Sequence, residues 1–274
     1  MTARTRNELT VAIGGFGAIG RVVAEGIDRG IEGLRLVAVS ARDPRAAAER
    51  MGNLRNKVPV VPLAELAELA DVVLECAPAA VFAEIAEPAI ERGRIFVPCT
   101  VGALLPRMDL VDRARETGAR IVVPTGALLG LDAVRAVAEG KIHSVRMVTR
   151  KPPMSLKGAP YLIENDISID GLTEPLKVFE GSAREGAKGF PANVNVAAAL
   201  SLAGIGPDET RLEIWADPAL DRNTHRIEVD ADSARFTLEI ANIPSPGNPG
   251  TGKNTPLSVL ACLRGLTATL KVGT

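Results

Sequence analysis

The pattern of apolar and polar positions divides the chain into two parts. From residue 9 to about residue 125, short apolar runs typical of buried strands alternate with amphipathic helical segments. The predicted strands are 9–13, 34–39, 58–61, 71–75, 95–98 and 120–123. Strands that alternate with helices in this way are typical of a parallel sheet covered by helices on both faces. Residues 1–126 are therefore predicted to form a doubly wound, Rossmann-type α/β domain.

The pattern changes after Gly126, where strand-like segments follow one another with shorter connections. Helices are predicted over 130–139 and 191–203. The predicted strands are 142–149, 176–181, 210–216, 224–230 and 234–241, with a hairpin turn at Asp230-Ala231-Asp232-Ser233. Short turns between strands imply antiparallel pairing. Residues 127–253 are therefore predicted to form a second, mixed α+β domain.

The C-terminal part of the sequence begins with a segment rich in proline and glycine, residues 243–255. Such a composition is typical of a linker or an active-site loop. A helix is predicted from Pro256 to about Lys271. We expect residues 254–274 to return to the first domain and dock on it.

A glycine-rich turn follows the first predicted strand and precedes a helix-compatible segment. A second apolar run begins at Leu34, about 20 residues beyond the turn, which completes β-α-β spacing. In this context the three glycines allow a tight turn, a close approach of backbone to a pyrophosphate, and close helix packing. The sequence therefore predicts binding of NAD or NADP rather than a turn without ligand. The predicted binding turn is Gly15, Phe16, Gly17, Ala18, Ile19 and Gly20.

The residue at the end of the second strand normally distinguishes NAD from NADP, because a carboxylate there binds the ribose 2′-hydroxyl and repels a 2′-phosphate. Ser40 occupies this position and can hydrogen-bond either group, while Arg42 can pair with a phosphate. Asp43 either reaches a ribose hydroxyl or caps the helix that begins at Pro44. We predict use of both cofactors, with Ser40 and Arg42 among their contacts.

Short turns also follow the later strands, at Cys76-Ala77-Pro78 and Cys99-Thr100-Val101-Gly102. The carboxyl ends of parallel strands form the edge at which doubly wound sheets bind ligands. We therefore expect these turns to line the nicotinamide end of the cofactor, with Ala77 as a contact.

Composition and charge narrow the class of partner. The chain has 274 residues, 46% of them hydrophobic and 3% aromatic, and a formal net charge of −1, which offers no electrostatic footprint for nucleic acid or anionic lipid.

The three cysteines lie far apart, so neither a disulfide framework nor a metal site is expected. No apolar stretch approaches the roughly 20 residues of a membrane span, and the N-terminal segment lacks the apolar core of a signal peptide. A cytoplasmic protein that binds small molecules is expected.

Two asparagines stand at the start of the predicted helix 191–203. Asn193 either caps this helix or contacts a ligand. Asn195 is predicted to lie inside the helix, where asparagine has poor propensity, and this position favours a functional role.

Five ordered segments together resemble the L-aspartate dehydrogenase family along nearly the whole chain. They are Gly15-x-Gly17-x-x-Gly20, Gly126-Ala127-(x)2-Gly130-Leu131-Asp132, Arg150-Lys151-Pro152-Pro153, Phe190-Pro191-x-Asn193-x-Asn195-Val196-Ala197 and Asn223-x-His225. The resemblance implies NAD(P)-dependent oxidative deamination of L-aspartate to iminoaspartate, which yields oxaloacetate and ammonia or enters NAD biosynthesis. It also implies a homodimer, with His225 as the active-site histidine and with Ala127 and Asn195 as cofactor contacts.

The residue types agree with this chemistry. Hydride removal from Cα requires a neutral amine, so a group that handles a proton near neutrality is expected beside the reacting carbon, and His225 is the candidate. The other histidine, His143, is expected at the surface. Two carboxylates need cationic and N–H partners, for which Lys151, Lys188 and Asn193 are the candidates, with Thr251 and Lys253 as weaker ones. Either lysine is equally compatible with a solvated surface charge.

Other functions also fit parts of the sequence. Leu129 stands where the family commonly has a second glycine, so another amino acid or a semialdehyde remains an alternative substrate. Cys99, at the end of a strand, is compatible with a covalent nucleophile in aldehyde oxidation, although a buried structural cysteine is the ordinary interpretation of such a position. A non-catalytic dinucleotide sensor is the remaining alternative, and it would not require His225.

Overall fold

The computed structural model describes residues 8–191, 194–245 and 248–273. The helices are α1 (Ala18–Asp28), α2 (Pro44–Arg50), α3 (Leu66–Leu69), α4 (Phe82–Glu91), α5 (Val101–Leu104), α6 (Asp109–Thr117), α7 (Leu131–Ala138), α8 (Pro160–Glu164), α9 (Ala183–Gly189), α10 (Asn195–Ala203) and α11 (Asn254–Thr267). The strands are β1 (Leu9–Gly14), β2 (Leu34–Ser40), β3 (Val72–Glu75), β4 (Ile95–Pro98), β5 (Arg120–Ile121), β6 (Ile142–Lys151), β7 (Leu176–Ser182), β8 (Arg211–Ala216), β9 (Thr224–Ala231), β10 (Arg235–Ala241), β11 (Pro244–Ser245) and β12 (Asn248–Gly252). None of the described helices combines the length and the apolar character that a membrane span requires.

The chain divides into two compact units. The first comprises Met1–Thr100, Pro106–Pro124 and Pro256–Lys271, and the second comprises Val101–Leu105, Thr125–Thr255 and Val272–Thr274, within the described residues of each range. The prediction that the C-terminal helix returns to the first part of the chain is confirmed, because α11 belongs to the first unit.

The first unit contains a five-stranded sheet in the order β2-β1-β3-β4-β5. All of its pairings are parallel. Alternate residues of β1 face opposite sides: Val11 and Ile13 pack with α1 and α11, whereas a Cβ at Gly14 would meet Ile85 of α4. The sheet is therefore covered by helices on both faces, as the doubly wound pattern predicts.

The predicted strand over residues 58–61 is reduced to a single bridge. Val60 pairs with Val39 in a parallel bridge. The Val39 N–H donates to the Pro59 carbonyl oxygen, and the Val61 N–H donates to the Val39 carbonyl oxygen. Pro59 and Pro62 lack the N–H group that a continuing ladder would need, and this limits the pairing.

A carboxyl group is buried at the carboxyl end of β3. Glu75 is 0% exposed, and its side chain accepts hydrogen bonds from the backbone N–H groups of Ala77 and Thr100 and from the Thr100 hydroxyl. Burial raises the pKa of Glu75, although these hydrogen bonds oppose the shift. Glu75 thus joins the turns that follow β3 and β4.

The second unit contains a mixed five-stranded sheet in the order β10-β9-β6-β8-β7. β6 pairs in parallel with β8, whereas its other neighbour β9 is antiparallel, as are the pairs β9–β10 and β7–β8. The antiparallel hairpin expected around Asp232 is confirmed by the direct connection of β9 to β10.

The two faces of this sheet differ in polarity. Val145, Met147, Ile227 and Val229 point to the buried face. On the opposite face, Arg146 forms ion pairs with acidic residues of β8 and β9. Residues that face the same side alternate along each strand, so the buried positions of β6 and β9 continue toward Lys151 and His225.

The predicted helix 191–203 is shorter in the structure, where α10 begins at Asn195, and a separate helix, α9, precedes it. The start of α9 carries a local signal in the sequence. The Ser182 hydroxyl accepts a hydrogen bond from the backbone N–H of Glu185, whose carboxylate accepts one from the Ser182 backbone, which forms a capping box.

Replacement of Glu75 tests its role in the first unit. Glu75→Ala leaves the N–H groups of Ala77 and Thr100 without their carboxylate acceptor, so we expect the free energy of unfolding to fall by about 2–4 kcal/mol. The measurement is urea denaturation followed by circular dichroism. Glu84→Ala, at an exposed position of α4, is the control and should shift stability by no more than about 0.5 kcal/mol. An equally small change in Glu75→Ala would contradict a structural role for the buried carboxylate.

Candidate active site

The glycine-rich turn of the first unit depends on the absence of side chains. Gly15 has φ +102°, and a Cβ there would lie 2.5 Å from the carbonyl oxygen of Cys76. A Cβ at Gly20 would overlap the carbonyl oxygen of Gly15 and press on Ile13. The turn therefore closes against β1 and β3 only with glycine at these two positions.

Gly17 has a different environment. It is exposed, and a Cβ there would have no heavy atom within 4 Å. It is the N-cap residue of α1 and provides no side-chain cap to the first helical N–H groups. Open space above an uncapped helix N-terminus fits a pyrophosphate, which takes hydrogen bonds from backbone N–H groups and gains from the helix dipole.

The other residues of the predicted binding turn differ in exposure. The Phe16 side chain is buried in the core, so its backbone is the part that faces the turn. Ala18 is half-buried, and Ile19 packs against the core of the first unit.

The end of β2 is built around Ser40 and Asp43. Ser40 is buried, and its carbonyl oxygen accepts a hydrogen bond from Gly15 N at 3.0 Å, which brings β2 next to the glycine turn. Arg42 is exposed. The Asp43 carboxylate accepts hydrogen bonds from the backbone N–H groups of Arg45 and Ala46, so Asp43 caps α2. This cap accounts for Asp43, whereas the roles of Ser40 and Arg42 in cofactor choice stay predictions.

The turns at the ends of β3 and β4 meet at the same edge of the sheet. The Ala77 N–H donates to Glu75, and the Ala77 carbonyl accepts a 3.1 Å hydrogen bond from the Thr100 hydroxyl. A hydrogen bond to Cys99, together with burial, raises the pKa of the Cys76 thiol well above its usual range. A protonated thiol is a poor nucleophile, so Cys76 has the character of a structural cysteine.

The second unit brings together His225 and Lys151. His225 pairs with Thr149 across β6 and β9, and a 3.1 Å hydrogen bond joins the Thr149 hydroxyl to His225 Nδ1. Lys151 follows Thr149 by two positions on β6 and points to the same buried face. All three side chains are at most 4% exposed. The sequence analysis did not identify Thr149, although its place two residues before Lys151 on one strand is the signal that it shares a face with this residue.

Burial sets the protonation of this pair. Desolvation, together with the positive charge of Lys151, lowers the pKa of His225 to about 3. Desolvation lowers the pKa of Lys151 to about 8. The structure differs from the expectation that His225 titrates near neutrality: its imidazole is neutral, and the pKa of Lys151 is the nearer of the two to neutral pH.

Two further predicted site residues of this unit, Ala127 and Asn195, lie outside the cluster of Lys151 and His225. Ala127 is half-buried in the turn before α7. Asn195 is the first residue of α10, and its Oδ1 accepts a 3.0 Å hydrogen bond from the backbone N–H of Gly102. This oxygen therefore caps α5, and the cofactor contact that the resemblance implies stays a prediction.

Lys188 is exposed in the last turn of α9, where its positive charge contributes to lowering the pKa values of Glu185 and Asp208. The structure does not place it in the buried cluster of His225 and Lys151, and its position is typical of a solvated charge. Asn193 lies outside the described residues, as does the side chain of Thr251. Lys253 is exposed, and His143 is exposed at an irregularity in the pairing of β6 with β9.

Two family models match the chain in succession. Residues 15–124 match the NAD-binding domain of homoserine dehydrogenase, and residues 132–266 match the C-terminal domain of aspartate dehydrogenase. The first match covers the glycine turn, and the second covers Lys151 and His225.

Several known proteins are similar to this chain over its whole length. L-Aspartate dehydrogenase of Bradyrhizobium diazoefficiens is 58% identical over 100% of this chain and 98% of its own length. L-Aspartate dehydrogenase 3 of Bordetella bronchiseptica is 55% identical over 98% of this chain and 99% of its own. The crystal structure of aspartate dehydrogenase from Thermotoga maritima superposes with a TM-score of 0.70 at 25% identity, covering 97% of this chain and 99% of that one. From these matches along its full length, the chain belongs to the aspartate dehydrogenase family.

Proposed function

We propose that this protein oxidises L-aspartate to iminoaspartate with NAD or NADP, and that the imine then yields oxaloacetate and ammonia or enters NAD biosynthesis. The observation that carries the proposal is the buried cluster of Lys151, His225 and Thr149, in a chain that also holds a dinucleotide-binding turn. Close relatives that bear the name L-aspartate dehydrogenase support this substrate over another amino acid or a semialdehyde.

The first unit supplies the cofactor site. The open backbone at Gly17 and the N-terminus of α1 would hold the pyrophosphate, and Ser40 and Arg42 would lie toward the ribose that carries the 2′-hydroxyl or 2′-phosphate. When bound, NAD or NADP supplies the acceptor for the hydride that leaves the substrate Cα.

Lys151 provides the charge that a dicarboxylate requires. A carboxylate that enters a buried site loses hydration, and a charge-assisted hydrogen bond from an ammonium group compensates for this loss. Below a pKa of about 8 Lys151 carries that charge, and an anionic partner would raise its pKa further.

His225 is suited to accept a proton. The substrate ammonium must lose one proton before hydride can leave Cα, and a neutral imidazole provides a free ring nitrogen. In this proposal the His225 Nδ1–H donates its hydrogen bond to the Thr149 hydroxyl oxygen, which leaves Nε2 unprotonated and able to accept the proton of the substrate. The carboxylates of bound substrate oppose the effect of Lys151 and raise the pKa of His225 from about 3 toward the range useful for proton transfer.

We further propose that the protein is a homodimer, as the family resemblance implies, and that it acts in the cytoplasm. Light scattering coupled to size-exclusion chromatography tests the dimer directly, because a single protomer has a mass of 28.7 kDa.

Replacement of Gly17 tests the cofactor site. Gly17→Ala adds a methyl group where no atom of the protein lies within 4 Å, so stability should be unchanged. The methyl would occupy the space into which the pyrophosphate must come. We therefore expect the Kd of the reduced cofactors, NADH and NADPH, measured by fluorescence titration, to rise about tenfold or more. Gly52→Ala is the matched control, since Gly52 is also exposed with open space around it. Equal affinity in the two variants would refute the proposed pyrophosphate position.

Replacement of His225 tests the proton acceptor. We expect His225→Ala to lower kcat for L-aspartate oxidation by about 10²–10⁴-fold, because it removes the proton acceptor, and to leave cofactor affinity intact. The measurement is reduced-cofactor formation at 340 nm with NAD and with NADP. His143→Ala, at an exposed position, is the control and should retain wild-type turnover. Full activity in His225→Ala would exclude this role.

The pKa of Lys151 predicts how anion binding depends on pH. Succinate has two carboxylates and no amino group, so its affinity reports the lysine charge without titration of a substrate amine. The ammonium form predominates below a pKa of about 8, so affinity should be highest there and fall as pH rises through this value, by up to about tenfold per pH unit. Calorimetric titration with succinate from pH 6.5 to pH 9.5 would measure this fall in affinity. Lys151→Met should bind succinate weakly with little pH dependence over this range, and a pH profile like that of the wild type would contradict the assignment.

A further inference from the structure

Two amide groups near His225 contain buried atoms without partners. Within the part of the chain that the structure describes, Asn223 Oδ1 and Asn242 Nδ2 are the buried side-chain polar atoms that lack a hydrogen-bond partner. Asn242 is 5% exposed. Asn223 is half-buried as a residue, but its Oδ1 is shielded from solvent. One of these atoms is an acceptor and the other is a donor.

The sheet places both residues beside the candidate active site. The Asn242 N–H donates a 2.9 Å hydrogen bond to the Asn223 carbonyl oxygen, which continues the pairing of β10 with β9 by one step. Asn223 lies two positions before His225 and one before the start of β9, so the alternation of this strand, continued by one residue, sets Asn223 on the same face as His225. The register of β6 with β9, continued by one residue, sets Lys151 opposite Asn223. Lys151 at the end of β6, Asn223 just before β9 and Asn242 just after β10 thus stand in a row at one end of three adjacent strands.

Unpartnered buried polar atoms are costly. A buried polar atom without a partner has lost its hydration with no hydrogen bond in return, and the great majority of buried polar atoms in folded proteins are hydrogen-bonded. Two such atoms on neighbouring strands, next to a buried lysine and a buried histidine, are therefore best explained by a ligand that completes them.

The chemistry of the two atoms defines that ligand. An acceptor oxygen fits an ammonium group, and an amide N–H fits a carboxylate oxygen. An α-amino acid presents an ammonium and a carboxylate on the same carbon, and a dicarboxylic amino acid has a further carboxylate for Lys151.

We infer that Asn223 and Asn242 form the subsite that recognises the amino acid: Asn223 Oδ1 accepts a hydrogen bond from the substrate amino group, and Asn242 Nδ2 donates one to a substrate carboxylate. This inference rests on the proposed function and assigns its substrate selectivity to these two residues. Asn223 thereby holds the amino group on the face that carries His225.

Leucine variants test the assignment, because leucine has a similar size and no polar atoms. In Asn223→Leu we expect the KM for L-aspartate to rise about tenfold or more, while the Ki of succinate, which lacks the amino group, changes by less than about threefold. In Asn242→Leu we expect the KM for aspartate and the Ki of succinate both to rise about tenfold or more, since both ligands carry the carboxylate.

Asn223→Asp provides a second test that keeps an acceptor at this position. The added negative charge attracts the substrate ammonium and repels a dicarboxylate, so the ratio of the Ki of succinate to the KM of aspartate should rise. The same ratio should fall in Asn223→Leu. A ratio that remains at the wild-type value in both variants would overturn the assignment of the amino group to Asn223.

Thermal stability separates a ligand-binding role from a structural one. Removal of an unsatisfied buried polar atom is neutral or stabilising, so the Tm of both leucine variants should equal or exceed that of the wild type. A lower Tm with unchanged KM and Ki would show that the amides support the fold instead. Asn165→Leu is the control, because Asn165 is exposed and its amide donates to the Tyr161 carbonyl, and it should leave KM and Ki unchanged.

The wild-type protein in the same series tests the proposed function separately. Aspartate that raises the Tm without being oxidised would refute the reaction but not the subsite, provided that Asn223→Leu abolishes this Tm increase and the increase with succinate persists. If neither aspartate nor any other L-amino acid raises the Tm or is oxidised, both the proposed function and the subsite are overturned.

Discussion

The burial of two basic side chains at one end of a sheet controls the ionisation of the candidate site in the second unit. Lys151 and His225 lie on neighbouring strands and are almost fully buried, and a positive charge on either opposes a charge on the other. The imidazole is therefore neutral, and the pKa of the lysine is lowered to about 8. A ligand that brings carboxylates would add negative charge beside this pair and so raise the pKa values of both groups.

The strands that hold this pair are well supported elsewhere. β6 and β9 are adjacent inner strands of the sheet, and their buried faces are apolar at Met147, Ile227 and Val229. Their opposite faces carry Arg146 and its acidic partners. The polar side chains of the candidate site thus occupy the end of an otherwise ordinary strand pair, where hydrogen bonds between the strands fix their spacing.

The candidate binding sites of the two units are built from different parts of the chain. The cofactor turn is made of backbone, because Gly15 and Gly20 leave no room for a side chain and Gly17 leaves the helix N-terminus open. Glu75, fully buried, holds the turns at the neighbouring strand ends through backbone and hydroxyl donors. In the second unit the candidate groups are side chains, whose properties depend on what surrounds them.

The sequence by itself determined the features that arise from local pattern. Apolar periodicity predicted each strand of the two five-stranded sheets, glycine spacing located the dinucleotide turn, and Asp43 before Pro44 indicated a helix cap. These features depend on backbone sterics and on near neighbours, which the sequence displays directly.

Only the tertiary structure decided which distant side chains meet and how they ionise. Thr149, which the sequence did not single out, reaches His225 through strand register. Asn195 and Lys188 were both candidates for ligand contacts, but the Asn195 oxygen binds the Gly102 N–H and Lys188 is exposed. The sequence favoured His225 as the group that titrates near neutrality, whereas the fold gives this property to Lys151. The reason is physical: a pKa depends on burial and on neighbouring charges, and both are set by packing between segments far apart in the chain.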